Sequence, residues 1–123
     1  MKISTEDIKG EVIRDTDTYL IKDNTFLEHI TISTTLLRPG KRTSGHSHKN
    51  QEEVYLFTKG NGTMVIGEDA FEATVGDMFL IPLDTFHQVI NISQTDPCSF
   101  TCMFEKYDRS SNTAEYVKSP PTS

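Results

Sequence analysis

The sequence predicts an all-β domain, an antiparallel sandwich or barrel. Short runs rich in β-branched and aromatic residues recur along most of the chain. Turn signals built on Gly, Pro and Asn separate those runs about every 8–12 residues. No stretch repeats apolar residues at helical spacing over a useful length.

Taken in order, residues 4–7 offer at most a single capped turn. Residues 26–37 (FLEHITISTTLL) contain neither Gly nor Pro and read as a strand that Pro39-Gly40 ends. A strand over 53–58 (EVYLFT) runs into Gly60-Asn61-Gly62, where Asn-Gly is the strongest short hairpin signal. Short strands over 63–67 and 70–74 follow, then a Gly76-Asp77 turn and a strand over 78–82 (MFLIP). Two more strands cover 87–92 (HQVINI) and 98–105 (CSFTCMFE). Residues 108–123 are polar and carry Pro120-Pro121, the composition of a weakly packed tail. At 123 residues the chain fits one domain, over residues 1–107, and that tail.

Charge narrows the partners. With 18 acidic against 12 basic residues the net charge is −6, which argues against nucleic acid. It leaves a small-molecule substrate open, because local charge in a cleft can oppose the net charge. No apolar run has the length of a membrane span, and the first residues lack the apolar core of a signal peptide, so a cytoplasmic protein is expected. Cys98 and Cys102 fall in one expected strand, about 13 Å apart. A disulfide needs about 4.4–6.8 Å between Cα atoms, so the two read as small buried apolar side chains.

Three of the four histidines cluster in sequence: His46 and His48 in GHSHKNQEEVY, and His87 in PLDTFHQVIN. On an extended chain His46 and His48 project from one face, and Glu53 can return to that face across a short irregular turn. Three imidazoles and a carboxylate suit one divalent transition metal, with Mn, Fe, Zn, Co and Ni all compatible. His29, in the expected strand 26–37, reads as a surface residue. Lys41, Arg42 and Lys49 read as solvated loop charges.

The same residues resemble the two motifs of the cupin superfamily. Gly40, His46, His48, Glu53 and Gly60 match the spacing of the first; Gly76, Pro82, His87 and Asn91 match the second, with Asp84 where glycine is expected. Asp tolerates the turn conformations that glycine adopts. Choosing Glu52 instead of Glu53 would put Gly60 out of register. Nine fixed positions match, and at roughly 5% usage per residue type chance does not produce that.

The resemblance implies an antiparallel jelly-roll β-barrel (a double-stranded β-helix) with a metal inside it on His46, His48, Glu53 and His87. By alternation Tyr55, Phe57, Val89 and Asn91 then point inward, with Phe79 and Ile81 beside them, so the site has largely apolar surroundings. Tyr55 is the candidate catalytic residue, its hydroxyl able to donate to an oxygen on the metal. The resemblance also implies a homodimer, with residues 11–23 as a strand to exchange or add, since an unpaired edge is a liability.

Fold does not fix function. The resemblance implies foremost a metal-dependent isomerase, epimerase or lyase on a small sugar-like or oxygenated metabolite, as in cupins similar to mannose-6-phosphate isomerase. An Fe(II)-dependent dioxygenase and a non-catalytic small-molecule-binding or sensing module are the alternatives.

Overall fold

Turn chemistry decides where the strands begin and end. The computed structural model describes residues 1–106, and the tail expected over 108–123 lies outside them. Nine strands form among the described residues. They are β1 (Glu11–Asp15), β2 (Tyr19–Asn24), β3 (Ile30–Leu37), β4 (Glu53–Lys59) and β5 (Gly62–Ile66). After them come β6 (Asp69–Ala73), β7 (Met78–Ile81), β8 (His87–Ile90) and β9 (Cys98–Glu105). No helix forms among the described residues, and none is long and apolar enough to cross a membrane.

The strand expected over 26–37 begins only at Ile30. Asn24 is the reason: its Oδ1 accepts the Phe26 N–H at 2.9 Å, and its Nδ2 donates to the Ile8 carbonyl at 2.7 Å. That local bond turns the backbone out of the ladder, leaving Phe26 and Leu27 exposed. The strand expected over 87–92 likewise stops at Ile90, because Asn91 Oδ1 takes the Ser93 N–H at 3.0 Å. Residues 11–23 make two strands, not one. Thr16 Oγ1 accepts from Thr18 N–H at 3.1 Å and folds them into a hairpin, so β1 pairs with β2 of its own chain.

Six strands form one antiparallel sheet in the order β1-β2-β3-β9-β4-β7, and three form a second in the order β6-β5-β8. The last of the described strands, β9, lies between β3 and β4, which is the Greek-key signature of a jelly roll. The two sheets face each other across one apolar core. Ile21, Leu37, Phe57 and Phe100 fill it from the larger sheet, Met64 and Val89 from the smaller, all fully buried. Cys98 and Cys102 are buried and unbridged in it.

The motif glycines hold tight corners. At Gly60, with φ +73°, a Cβ would stand 2.4 Å from the Pro97 carbonyl oxygen, so only glycine fits. Asp84, where a glycine is expected, adopts φ 53°. Its N–H donates to the His48 carbonyl at 2.7 Å, so the turn of the second motif latches the first.

Candidate metal centre

Backbone pairing brings the two motifs together. His46 N–H donates to the His87 carbonyl at 3.0 Å, and His87 N–H donates to the His46 carbonyl at 2.8 Å. This pins the segment after β3 alongside β8. Glu53 opens β4 and sits in register with Phe104 and Ile81, which turns its carboxylate inward; Glu52, one residue earlier, is exposed.

The donor atoms of His48, Glu53 and His87 lie within 4.8 Å of one another, and all three residues are buried. His46 stands at the edge of this cluster. Its ring is 5.8 Å from that of His48, centroid to centroid, and its Nε2 lies 3.2 Å from Ser44 Oγ. The structure thus gathers three of the four expected ligands tightly and sets the fourth beside them. His29, Lys41, Arg42 and Lys49 are exposed.

The tautomer of His87 follows from its neighbour. Its Nδ1 lies 3.0 Å from the Thr85 carbonyl oxygen, which can only accept, so Nδ1 carries the proton and Nε2 presents a lone pair. That Nε2 is 2.7 Å from Glu53 Oε2. Two acceptors so close require a shared cation between them, a proton or a metal ion. Consistent with this, neither atom makes a geometrically sound hydrogen bond among the described residues, and neither do Glu53 Oε1 and His48 Nε2. Glu53 Oε1 and His48 Nε2 have no partner of any kind among the described residues, and leaving them so would cost on the order of 1–3 kcal/mol each. One divalent ion held by two imidazoles and a carboxylate satisfies all three residues, so the set fits a metal.

Electrostatics agree. Burial, then the rings of His87 and His46, lower the His48 pKa to about 4, so it is a neutral donor. Burial, then His87 and Arg14, also lower His46. Burial raises Glu53 against the opposing pull of His87. Burial alone would lower His87, but the Glu53 carboxylate outweighs it and the net direction is up.

Tyr55 is 2% exposed, stacked on Phe100 at 5.3 Å and edge-on to His87 at 5.7 Å. Its hydroxyl interacts with the Cys102 thiol, and burial first, then Cys102 and Glu53, raise its pKa well above 10. It is therefore a neutral donor in contact with the His87 ring. Phe57, Val89, Asn91, Phe79 and Ile81 all lie inward.

The sequence reading missed the polar side chains further along the sheet that carries Glu53. Thr31, Ser33 and Thr35 on β3 are buried on the inner face, and Asp23 faces Ser33 from β2. The signal was present: they alternate with Leu37 on the same parity.

Comparison with known proteins places this geometry in a family. The Cupin domain family matches residues 33–104, a span that contains every residue of the cluster. The uncharacterized protein MJ1618 of Methanocaldococcus jannaschii is 32% identical over 68 residues, which are 55% of this chain and 54% of that protein. The chain therefore matches about half the length of that relative. Among solved structures, a sugar phosphate isomerase of the cupin superfamily from Silicibacter pomeroyi is similar at TM-score 0.71 and 19% identity. That match covers 87% of this chain and 76% of the isomerase. A Bacillus subtilis oxalate decarboxylase is similar at TM-score 0.70 and 21% identity, over 80% of this chain and 28% of the decarboxylase. At such identities the likeness is one of fold. The family match over 33–104, on a jelly roll with both motifs meeting at one site, carries the conclusion: the chain belongs to the cupin family.

Proposed function

We propose that this chain is a metal-dependent enzyme, an isomerase, epimerase or lyase acting on a small sugar-like or oxygenated metabolite. His46, His48, Glu53 and His87 hold its single divalent transition metal. The observation that carries the reading is the convergence of His48, Glu53 and His87 donor atoms within 4.8 Å, buried and without sound hydrogen bonds among the described residues. The fold likeness to a sugar phosphate isomerase supports the choice of reaction.

The metal would act as a Lewis acid on a carbonyl or a pair of hydroxyls of the substrate. The protein supplies the rest. Thr85 fixes the tautomer of His87 through its carbonyl, and Phe100 holds the Tyr55 ring in place. Tyr55 keeps its proton and can donate it as a hydrogen bond to a bound oxygen. The apolar walls exclude water and strengthen each polar contact.

One observation favours a second reading. Two histidines and one carboxylate are also the ligand set of non-haem Fe(II) oxygenases, and that set is the tight part of the cluster. The two readings separate cleanly. Protein purified without a metal-binding tag should carry close to one metal per chain; His87→Ala should lose it and His29→Ala should keep it. An isomerase works without oxygen and introduces deuterium from D₂O at the carbon next to the carbonyl. Turnover that needs both iron and O₂ would replace it with the dioxygenase, and tight binding of a small molecule without turnover would favour a sensing module.

We further propose a homodimer in the cytoplasm. The outer face of the larger sheet carries an apolar row, Ile32, Met103, Val54 and Leu80, in cross-strand register. Two unbridged cysteines suit a reducing compartment.

A further inference from the structure

One arginine of the larger sheet is turned toward the metal-ligand cluster by an irregularity in its strand. β1 is the edge strand of that sheet, and its pairing with β2 slips between Val12 and Arg14. Glu11 and Val12 pair with Asp23 and Lys22, but Arg14 pairs with Ile21, so Ile13 is the extra residue of a β-bulge. Without that residue Arg14 would pair with Leu20, on the opposite face of β2. With it, Arg14 shares a face with Ile21, which is fully buried in the core. The smaller sheet ends on β8, and the segment after β3 runs along its free edge: Arg42 bridges Ile90, and His46 bridges His87. Arg14 is near enough to His46 for its charge to help lower that imidazole's pKa, after burial and His87. The free edges of the two sheets therefore meet beside the cluster.

This side of the cluster is the one open to solvent. His48, Glu53 and His87 are buried, whereas His46 is half-buried and every residue of β1 is exposed. No carboxylate neutralises Arg14 among the described residues. Its neighbour Asp15 is bound to Arg38 at 3.0 Å, and Glu11, on the same face of β1, forms no ion pair with it. Burial raises the pKa of Asp23 on β2, toward its uncharged form. A guanidinium stays charged and offers parallel N–H donors that match a carboxylate or a phosphate. A divalent ion held by one carboxylate and neutral imidazoles adds a second positive charge nearby.

We propose that Arg14 is the anion-binding residue of this site, and that the ligand is an oxygenated metabolite carrying a carboxylate or phosphate. Arg14 holds the oxyanion while oxygens at the other end of the molecule reach His48, Glu53 and His87. This rests on reading that cluster as a metal centre, and it narrows the substrate class to sugar acids and sugar phosphates. The bulge is the device that makes the selection, because it brings a cation inward on a chain whose net charge is −6.

Calorimetric titration of the zinc-loaded full chain with D-ribose 5-phosphate, D-ribonate and D-ribose tests this, since the three share a carbon frame and differ in charge. The wild type should bind at least one of the two anions more tightly than D-ribose, and the tighter one shows whether phosphate or carboxylate is preferred. Arg14→Gln should weaken that anion at least about ten-fold and leave the response to D-ribose unchanged. Zinc stoichiometry and the thermal midpoint should stay at wild-type values, because Arg14 is exposed on an edge strand. Arg14→Lys should fall between, keeping the charge without the fork. Lys22→Gln removes the same charge from the opposite face of β2 and should change nothing. No preference for either anion over D-ribose, unchanged anion affinity in Arg14→Gln, or an equal loss in Lys22→Gln would overturn the proposal. The metal reading fails separately: a wild type that takes up no zinc, yet binds the anion and loses it in Arg14→Gln, would sink the metal centre and keep the role of Arg14.

Discussion

At His48, burial and the nearby rings of His87 and His46 hold the imidazole neutral down to about pH 4. At His87, the Glu53 carboxylate outweighs burial and raises the pKa above 6.5. A proton on His87 sits where a metal ion would bind, so the two compete. Because the His87 pKa is raised, competition begins at a higher pH than it would for a free imidazole; His48 adds nothing until near pH 4. Zinc affinity, measured against a competing chelator, should therefore fall with a slope of one proton, about ten-fold per pH unit. A slope of two would show that a second ligand, His46 or Glu53, titrates with it, and no loss of affinity as the pH falls would remove His87 from the site. At this scale much was legible in advance. Glu53 could be chosen over Glu52 because motif spacing encodes strand register, and Asp84 adopts the left-handed turn expected of a glycine substitute. That Ser44 would contact His46 was not legible, because it depends on how an irregular segment packs.

Strands and their turns depend on a few side chains that compete with the backbone. Asn91 is the clearest. It is 2% exposed, and its Nδ2 reaches the carbonyls of Leu37, Arg38 and Asp96 at 3.1, 3.2 and 2.9 Å. It thereby ties the end of β8 to the end of β3. Asn91→Ala should cost about 2–4 kcal/mol, read as a lower urea midpoint, because it leaves buried carbonyls unpaired. Asn91→Asp should be no better, since a carboxylate would face those carbonyls acceptor to acceptor. Metal content of the folded fraction should be unchanged; loss of metal in both variants would show that Asn91 shapes the site and not only the fold. β9 was legible to the residue because its run is bounded by Pro97 and closes on polar residues. The starts of β3 and ends of β8 were not, because Asn24 and Asn91 divert the chain through side-chain bonds that periodicity does not reveal. Parity was legible but unused for Thr31, Ser33 and Thr35, whose residue types match a strand's outer face as well as its inner one.

For the whole molecule, the fold class followed from turn spacing and the two motifs, whereas the placement of β9 between β3 and β4 is a non-local pairing that no local pattern carries. Residues 11–23 fold back as a hairpin on their own chain, which moves attention to the outer face of the larger sheet. There Ile32, Met103, Val54 and Leu80 follow one another in register, with Leu56 and Met78 in the adjacent row beside a buried Thr101. Leu80 is 71% exposed and Met78 58%. Two copies of a chain with net charge −6 repel each other unless they meet on an uncharged surface, and these two rows contain no acidic residue. A two-fold contact needs only one such self-complementary patch, burying about 1,200 Å² or more in total. Light scattering behind size exclusion should therefore give twice the chain mass, and Leu80→Arg should shift it to the monomer. Circular dichroism and metal content should stay at wild-type values, because Leu80 points away from the core. A wild type that runs as a monomer, or a Leu80→Arg dimer, would show that this face is covered by something other than a second copy.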